Sequence, residues 1–201
     1  MELQVETITY SSNSDTYISK IDDFLITPMH SSIKADFSYE LSSEDFADGV
    51  IKLKKVGSIS AYRINLFEPE RSLAILADLI SQDLCFAASY FLYDDGKNYL
   101  SSQYLYYIDE VFIKPEYRQF GFALKGLAMF LENFAQGEAV SCHPCPLKDL
   151  RAKYEEKYGK RLLRRYWSKV GLNKYSIDNN ILWTDDWSMP SWLKHQIFFE
   201  D

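Results

Sequence analysis

The chain predicts an α/β domain built on a mixed sheet, and three features of its sequence carry that prediction. Residues 107–134, YIDEVFIKPEYRQFGFALKGLAMFLENF, read as a strand, a proline-containing turn, a glycine-bearing loop and a buried helix, and a second apolar strand follows at Ala139–Cys142. Two strands joined through a helix pair in parallel, with a right-handed crossover. Short β-branched and aromatic runs before residue 66, and a strand pair around Asp178-Asn179-Asn180, read as further strands, the latter as a hairpin. With 201 residues, 47% hydrophobic and 16% aromatic, the chain suits one globular domain with a substantial core rather than disorder.

In order, residues 1–20 are Ser/Thr-rich, and Val5, Ile8 and Tyr10 mark an edge strand. Ile21–Ile26 and Ile33–Tyr39 read as short strands separated at Pro28. Leu41–Gly49 is turn-like, with a bend at Asp48-Gly49. Val50–Leu66 reads as one long strand or a hairpin, with Gly57 as its bulge or turn. Glu68-Pro69-Glu70 opens a helix carrying Leu73, Leu76, Leu79, Ile80 and Leu84, which runs on or breaks near Ser81-Gln82-Asp83 before a second helical stretch to Tyr93. Asp94–Lys97 stops it.

The central strand, Ile108–Ile113, ends at Lys114-Pro115 because proline donates no N–H to a ladder. Leu124, Leu127, Leu131 and Phe134 then recur at helical spacing with few polar residues between, so this helix is covered on more than one side. Gly137 ends it. Leu147, Leu150, Tyr154 and Tyr158 form a core-facing stripe on a charged helix, and Leu162–Val170 is a shorter helix stopped by Gly171. Lys174–Ile177 and Ile181–Thr184 form the closing hairpin, and the tail with Trp187, Pro190 and Trp192 packs back on the domain.

A formal charge of −7 argues against a nucleic-acid partner. No stretch approaches the ~20 apolar residues of a membrane span, and the N-terminus lacks a basic start and apolar h-region. Three cysteines fit a reducing cytoplasm better than a disulfide scaffold. No metal is expected. Cys142-His143-Pro144-Cys145 lacks the second Cys/His pair of a zinc site, and Cys142 reads as a small buried hydrophobe.

A tight loop entering a helix N-terminus offers unpaired N–H groups and the positive end of a dipole, which suits a phosphate. The spacing Arg118-x-x-Gly121-x-Ala123, set in V-F-I-K-P-E-Y-R-Q-F-G-F-A, resembles the acyl-CoA signature of the GNAT (Gcn5-related) N-acetyltransferase superfamily. The resemblance covers roughly residues 50–184 and is most specific at Val111–Ala123; His143-Pro144-Cys145-Pro146-Leu147 after a strand is similar to a GNAT-like subgroup of bacterial and phage proteins. It implies the GNAT fold, a mixed central sheet with splayed parallel central strands flanked by helices. The domain would span 1–201, with 1–49 the least patterned portion and 68–95 an inserted helical segment. It implies acetyl-CoA as acyl donor and, as acceptor, a primary amine of a small molecule, a protein N-terminus or a lysine. A homodimer fits as well.

Carried onto this sequence, the resemblance gives the pyrophosphate to Arg118, Gln119, Phe120, Gly121, Phe122 and Ala123. It gives the pantetheine amides to the backbone of Val111, Phe112 and Ile113, with the Val111 N–H polarising the acyl carbonyl. Asp109 and Glu110 are the candidate bases; successive strand residues face opposite ways, so at most one points into a given cleft, and Glu110 is preferred. The family's late Tyr, thought to protonate the departing thiolate, corresponds to Trp167, four residues before Gly171. A phenol with pKa ~10 can donate that proton and an indole cannot. Tyr166 stands one residue away, turned by about 100° on a helix. Trp167 either walls the pantetheine tunnel or fills core. Arg161, Arg164 and Arg165 form a basic cluster that steers phosphates or simply faces solvent. Two other classes stay open: a non-catalytic interaction or regulatory module of this fold, and an enzyme using another donor such as an aminoacyl-tRNA.

Overall fold

The computed structural model describes residues 3–9, 25–37, 52–67, 70–93, 101–146, 151 and 155–199. They form an α/β arrangement around one mixed sheet of seven strands in the order β1-β2-β3-β4-β5-β7-β6. The strands are β1 Leu3–Thr9, β2 Ile26–Asp36, β3 Leu53–Asn65, β4 Tyr104–Ile113, β5 Ala139–Cys142, β6 Lys174–Ser176 and β7 Ile181–Thr184. The helices are α1 Glu70–Ile80, α2 Gln82–Leu92, α3 Phe122–Phe134, α4 Glu156–Trp167 and α5 Ser191–Phe198. Only β4 and β5 pair in parallel; the other neighbours run antiparallel. The crossover helix α3 joins those two strands, as its position between two apolar strands requires.

Each face of the sheet has its own core. On one side α3 buries Leu127, Phe130 and Leu131 against Ile33 and Ile59 of the sheet, and Trp187 and Leu193 of the tail join them. On the other, Leu73 and Ala77 of α1 and Leu84, Ala88 and Phe91 of α2 pack over Ile64, Leu105 and Tyr107. The segment read as inserted is therefore the cover of the second face. Ser81 divides its two helices: its hydroxyl accepts from Leu84 N–H at 3.1 Å and caps α2.

Several expectations change. Pro28 does not separate two strands but lies inside β2. Among the described residues the pairing with β1 ends at Thr9 and Met29, so no described β1 residue calls on Pro28 for a donor. The 53–65 segment is one strand; Val56 is the extra residue of a bulge, because Gly57 pairs with Ile33 and Lys55 with Lys34. Leu79 and Ile80 are exposed rather than part of the buried stripe of α1. Tyr158 is exposed too. It belongs to α4, which starts anew after Glu155 takes an extended ψ of 138°, and so does not continue the helical register read from Leu147. Tyr10, residues 21–24, 38–51 and 94–97, Pro69, Leu147, Leu150 and Tyr154 lie outside the described residues.

The tail does return to the domain. Trp187 is buried, donates Nε1–H to the Val170 carbonyl at 2.8 Å, and brackets the end of the crossover through Gly137 N–H to its own carbonyl and its N–H to Glu138. Helix α5 follows, with Lys125 of α3 donating to the Gln196 carbonyl at 3.3 Å. Trp192, by contrast, is largely exposed. Among the described residues no helix is long and apolar enough to cross a membrane.

Candidate active site

The parallel pair is short. Leu105–Ile108 match Ala139–Cys142, after which β5 ends while β4 continues to Ile113. Where the two strands stop pairing, a cleft of about 320 Å³ opens, and it reaches the first turn of α3 and the last turn of α4. It lies at the carboxyl ends of the parallel strands, where open α/β sheets commonly present their ligand sites.

The β4 wall carries a second bulge. Glu110 pairs with Ser60 and Ile108 with Ala61, leaving Asp109 without an opposite residue on β3. Ile108, Val111 and Ile113 all contribute to the α3-side core, a spacing of three and then two. The extra residue breaks alternation, so Asp109 and Glu110 sit together between them, and both line the cleft. The expectation that only one of the two could do so is overturned, and its cause is this bulge. Asp109 keeps solvent access, yet burial of its carboxyl, then the charges of Glu110 and of Asp83 on α2, raise its pKa above the ordinary carboxylate value. Tyr62 and Tyr107 feel the Asp109 charge, so this carboxylate faces the α2 side of the sheet.

The loop after β4 is held from within. The Arg118 Nε–H donates to the Ile113 carbonyl at 3.0 Å, closing the turn made by Pro115–Tyr117. Gln119 and Gly121 have φ of 75° and 79°, and a Cβ built on Gly121 meets nothing within 4 Å. Glycine is suited to that backbone and leaves the approach to α3 open. The first backbone bond of the helix runs from Lys125 N–H to the Gly121 carbonyl, and the N-cap, Gly121, has no side chain to cap the start of α3. Arg118, Gln119, Gly121, Phe122 and Ala123 line the cleft. Phe112 and Phe120 do not; the exposed Phe120 ring stacks on Phe122 at 5.8 Å.

On the opposite wall, α4 contributes both Tyr166 and Trp167, whose rings meet edge to face at 4.9 Å. The turn of one helical residue does not remove Tyr166, because the cleft wraps around the end of α4. Burial raises the Tyr166 phenol above its ordinary value, against a downward pull from the Leu124 backbone in the first turn of α3. Tyr166 therefore keeps its proton at neutral pH, next to the helix N-terminus. Trp167 also packs on the α3-side core, so it serves core and cleft together. Of the basic cluster, Arg164 lies over the Tyr175 ring at 4.6 Å, while Arg161 and Arg165 are exposed.

The third wall is the chain leaving β5, where Cys142, His143 and Cys145 line the cleft. Burial pushes the Cys142 thiol up to about 12, and burial also raises Cys145, whose Sγ accepts from Asn180 Nδ2 at 3.4 Å. Neither is a thiolate at neutral pH. His143 was not among the site residues expected from the sequence, where the Cys142–Cys145 run was weighed for metal binding and set aside. Its ring meets Tyr107 edge-on at 6.0 Å, and among the described residues its buried Nε2 has no hydrogen-bond partner. A buried polar atom in that state costs about 1–3 kcal/mol. Its place just past the end of a parallel strand is the signal that could have singled it out.

No family model matches the chain, and no curated protein or solved structure matches it either.

Proposed function

We propose that the protein has the GNAT fold and transfers an acyl group, acetyl as the simplest case, from acyl-CoA to a primary amine by direct attack. The observation that carries this reading is the cleft opened by the parting of β4 and β5, with the glycine-led N-terminus of α3 at one end and paired carboxylates at the other.

In this reading the N–H groups of the first turn of α3 hold the pyrophosphate, with Gly121 leaving room for it. The Val111 N–H polarises the thioester carbonyl, and the freed edge of β4 binds the pantetheine amides. Asp109 and Glu110 draw the ammonium group of the acceptor into the opposite end. After the ammonium group gives one proton to a base in the cleft, the amine nitrogen bonds to the acyl carbon, the C–S bond breaks, the departing thiolate takes the Tyr166 proton, and the second proton shed by nitrogen restores the phenol. That Tyr166, and not only Trp167, lines the cleft supports catalysis over a non-catalytic module.

The test is calorimetric titration with acetyl-CoA, of the wild type and of Gly121→Glu and Gly121→Ala. Both variants bear the left-handed backbone strain of about 1–2 kcal/mol, but only the first adds charge and bulk. Wild-type binding in the micromolar range, retained in Gly121→Ala and lost in Gly121→Glu, is the expected result. Absence of binding to the wild type would overturn the acyl-CoA reading and leave an interaction module as the better one.

A further inference from the structure

We propose that His143 is the proton acceptor for the attacking amine, and that the end of the cleft beside Asp109 and Glu110 takes a cationic primary amine. This rests on the acyl-transfer reading above and goes beyond it by assigning the base and the class of acceptor.

The geometry begins with the unpartnered Nε2. It is buried, on a ring that lines the cleft, and a hydrogen-bonding group of a substrate would complete it. Among the described residues, groups from four segments act on the ring. They are Asp83 from α2, Lys160 from α4, the Tyr107 ring from β4 and the backbone of Asn180 in the turn before β7. Asp83 also acts on Asp109, Tyr107 and Cys145, so it marks the point where α2, β4 and the chain after β5 converge. With Asp109 and Glu110 beside it on β4, this end of the cleft is acidic, while the α3 end carries the positive pole of a helix. A cation is drawn to one end and an anion to the other.

Burial lowers the His143 pKa below its ordinary value, against an upward pull from Asp83 and neighbouring backbone groups. The ring is therefore neutral at pH 7, with a lone pair to accept a proton. One ammonium proton passes to His143 Nε2 and on to solvent. The free amine then forms the N–C bond as the C–S bond breaks, and the second proton shed by nitrogen balances the one taken up by the thiolate.

The experiment measures thiol release from acetyl-CoA with tyramine, spermidine and free lysine as probe amines, across pH, for the wild type, His143→Gln, His143→Ala and Asp83→Asn. His143→Gln should lose about 10²–10⁴-fold in kcat, keep acetyl-CoA binding and lose the acid limb of the pH profile. Added imidazole should restore part of the His143→Ala rate. Asp83→Asn, an exposed change on another element, should raise KM for the amine several-fold and keep kcat. An unaltered kcat, or an acid limb that survives in His143→Gln without imidazole rescue of His143→Ala, overturns the assignment of the base. Wild-type protein that binds acetyl-CoA yet acylates none of the three probes overturns the acceptor class while the donor site stands. Failure to bind acetyl-CoA at all overturns the acyl-CoA reading itself, and this proposal with it.

Discussion

Replacing Gly57 by alanine tests how β3 holds the wall of the cleft. Gly57 pairs with Ile113, the last residue of β4, and the neighbouring Val56 carbonyl accepts from Lys114 N–H at 2.9 Å. A Cβ at Gly57 would overlap the backbone carbonyl oxygen of Phe112 and lie 2.6 Å from Ile113 Cδ1. Ordinary carbon contacts begin near ~3.5 Å, so the Ile113 contact alone requires about 0.9 Å of separation. The obstructing carbonyl is backbone in a paired strand, and Ile113 is buried, so neither moves cheaply. Overpacking costs roughly 1–3 kcal/mol, and a weakened ladder bond adds about 0.5–1.5 kcal/mol. Together they give a loss of about 2–4 kcal/mol, or roughly 5–15 °C in Tm for a domain of this size. Urea denaturation followed by near-ultraviolet circular dichroism would read it directly. Because Val111 and Ile113 line the cleft, the proposed acyl-CoA site predicts that binding of acetyl-CoA falls alongside stability. A Gly57→Ala protein within about 0.5 kcal/mol of wild type, the range of ordinary surface changes, would refute the close approach of β3 and β4 and the packing argument built on it.

Two further substitutions probe charge and tail. The raised pKa of Asp109 means that the folded chain holds this proton more tightly than the unfolded one. The resulting stabilisation is full below the unfolded value of ~3.9 and is lost as pH rises through the folded-state value, so at pH 7 the ionised group costs stability. Asp109→Asn should melt above wild type at pH 7, with the gap closing on acidification to about pH 3; no gain at neutrality would contradict the crowding of charge described here. Trp187→Phe removes the Nε1–H donated to Val170 and strands a buried carbonyl, and chemical denaturation should register a loss of about 1–3 kcal/mol.

Much of the α/β frame was legible because its signals are local. Helix α3 and strand β5 follow from apolar periodicity bounded by Pro115, Gly121 and Gly137, and the structure places both at the expected residues. The Ser81 break was readable for the same reason, a short polar residue between two apolar runs. Asp109 and Glu110 were singled out by residue type, but their shared side was hidden. A bulge is set by where the partner strand runs out of register, and β3 lies some fifty residues upstream. His143 was hidden differently: its meaning depends on Asp83, Lys160 and Tyr107, brought together from three other elements. Leu79 and Ile80 show the converse, apolar residues at nearly helical spacing that the fold leaves outside.

The bulge at Asp109 gives β4 something like a reading frame. Removing one residue at 109–110 would restore strict alternation along the strand: with Ile108 fixed, Val111 and Ile113 would stay on the α3-side face, and one of the two carboxylates would be gone. Removing two would set Val111 directly after Ile108, so that Val111 and Ile113 would turn to the opposite face and empty part of the α3-side core. The strand should thus tolerate the loss of one residue here far better than the loss of two, so that a viable shortening of this segment would come singly and would cost the cleft part of its charge.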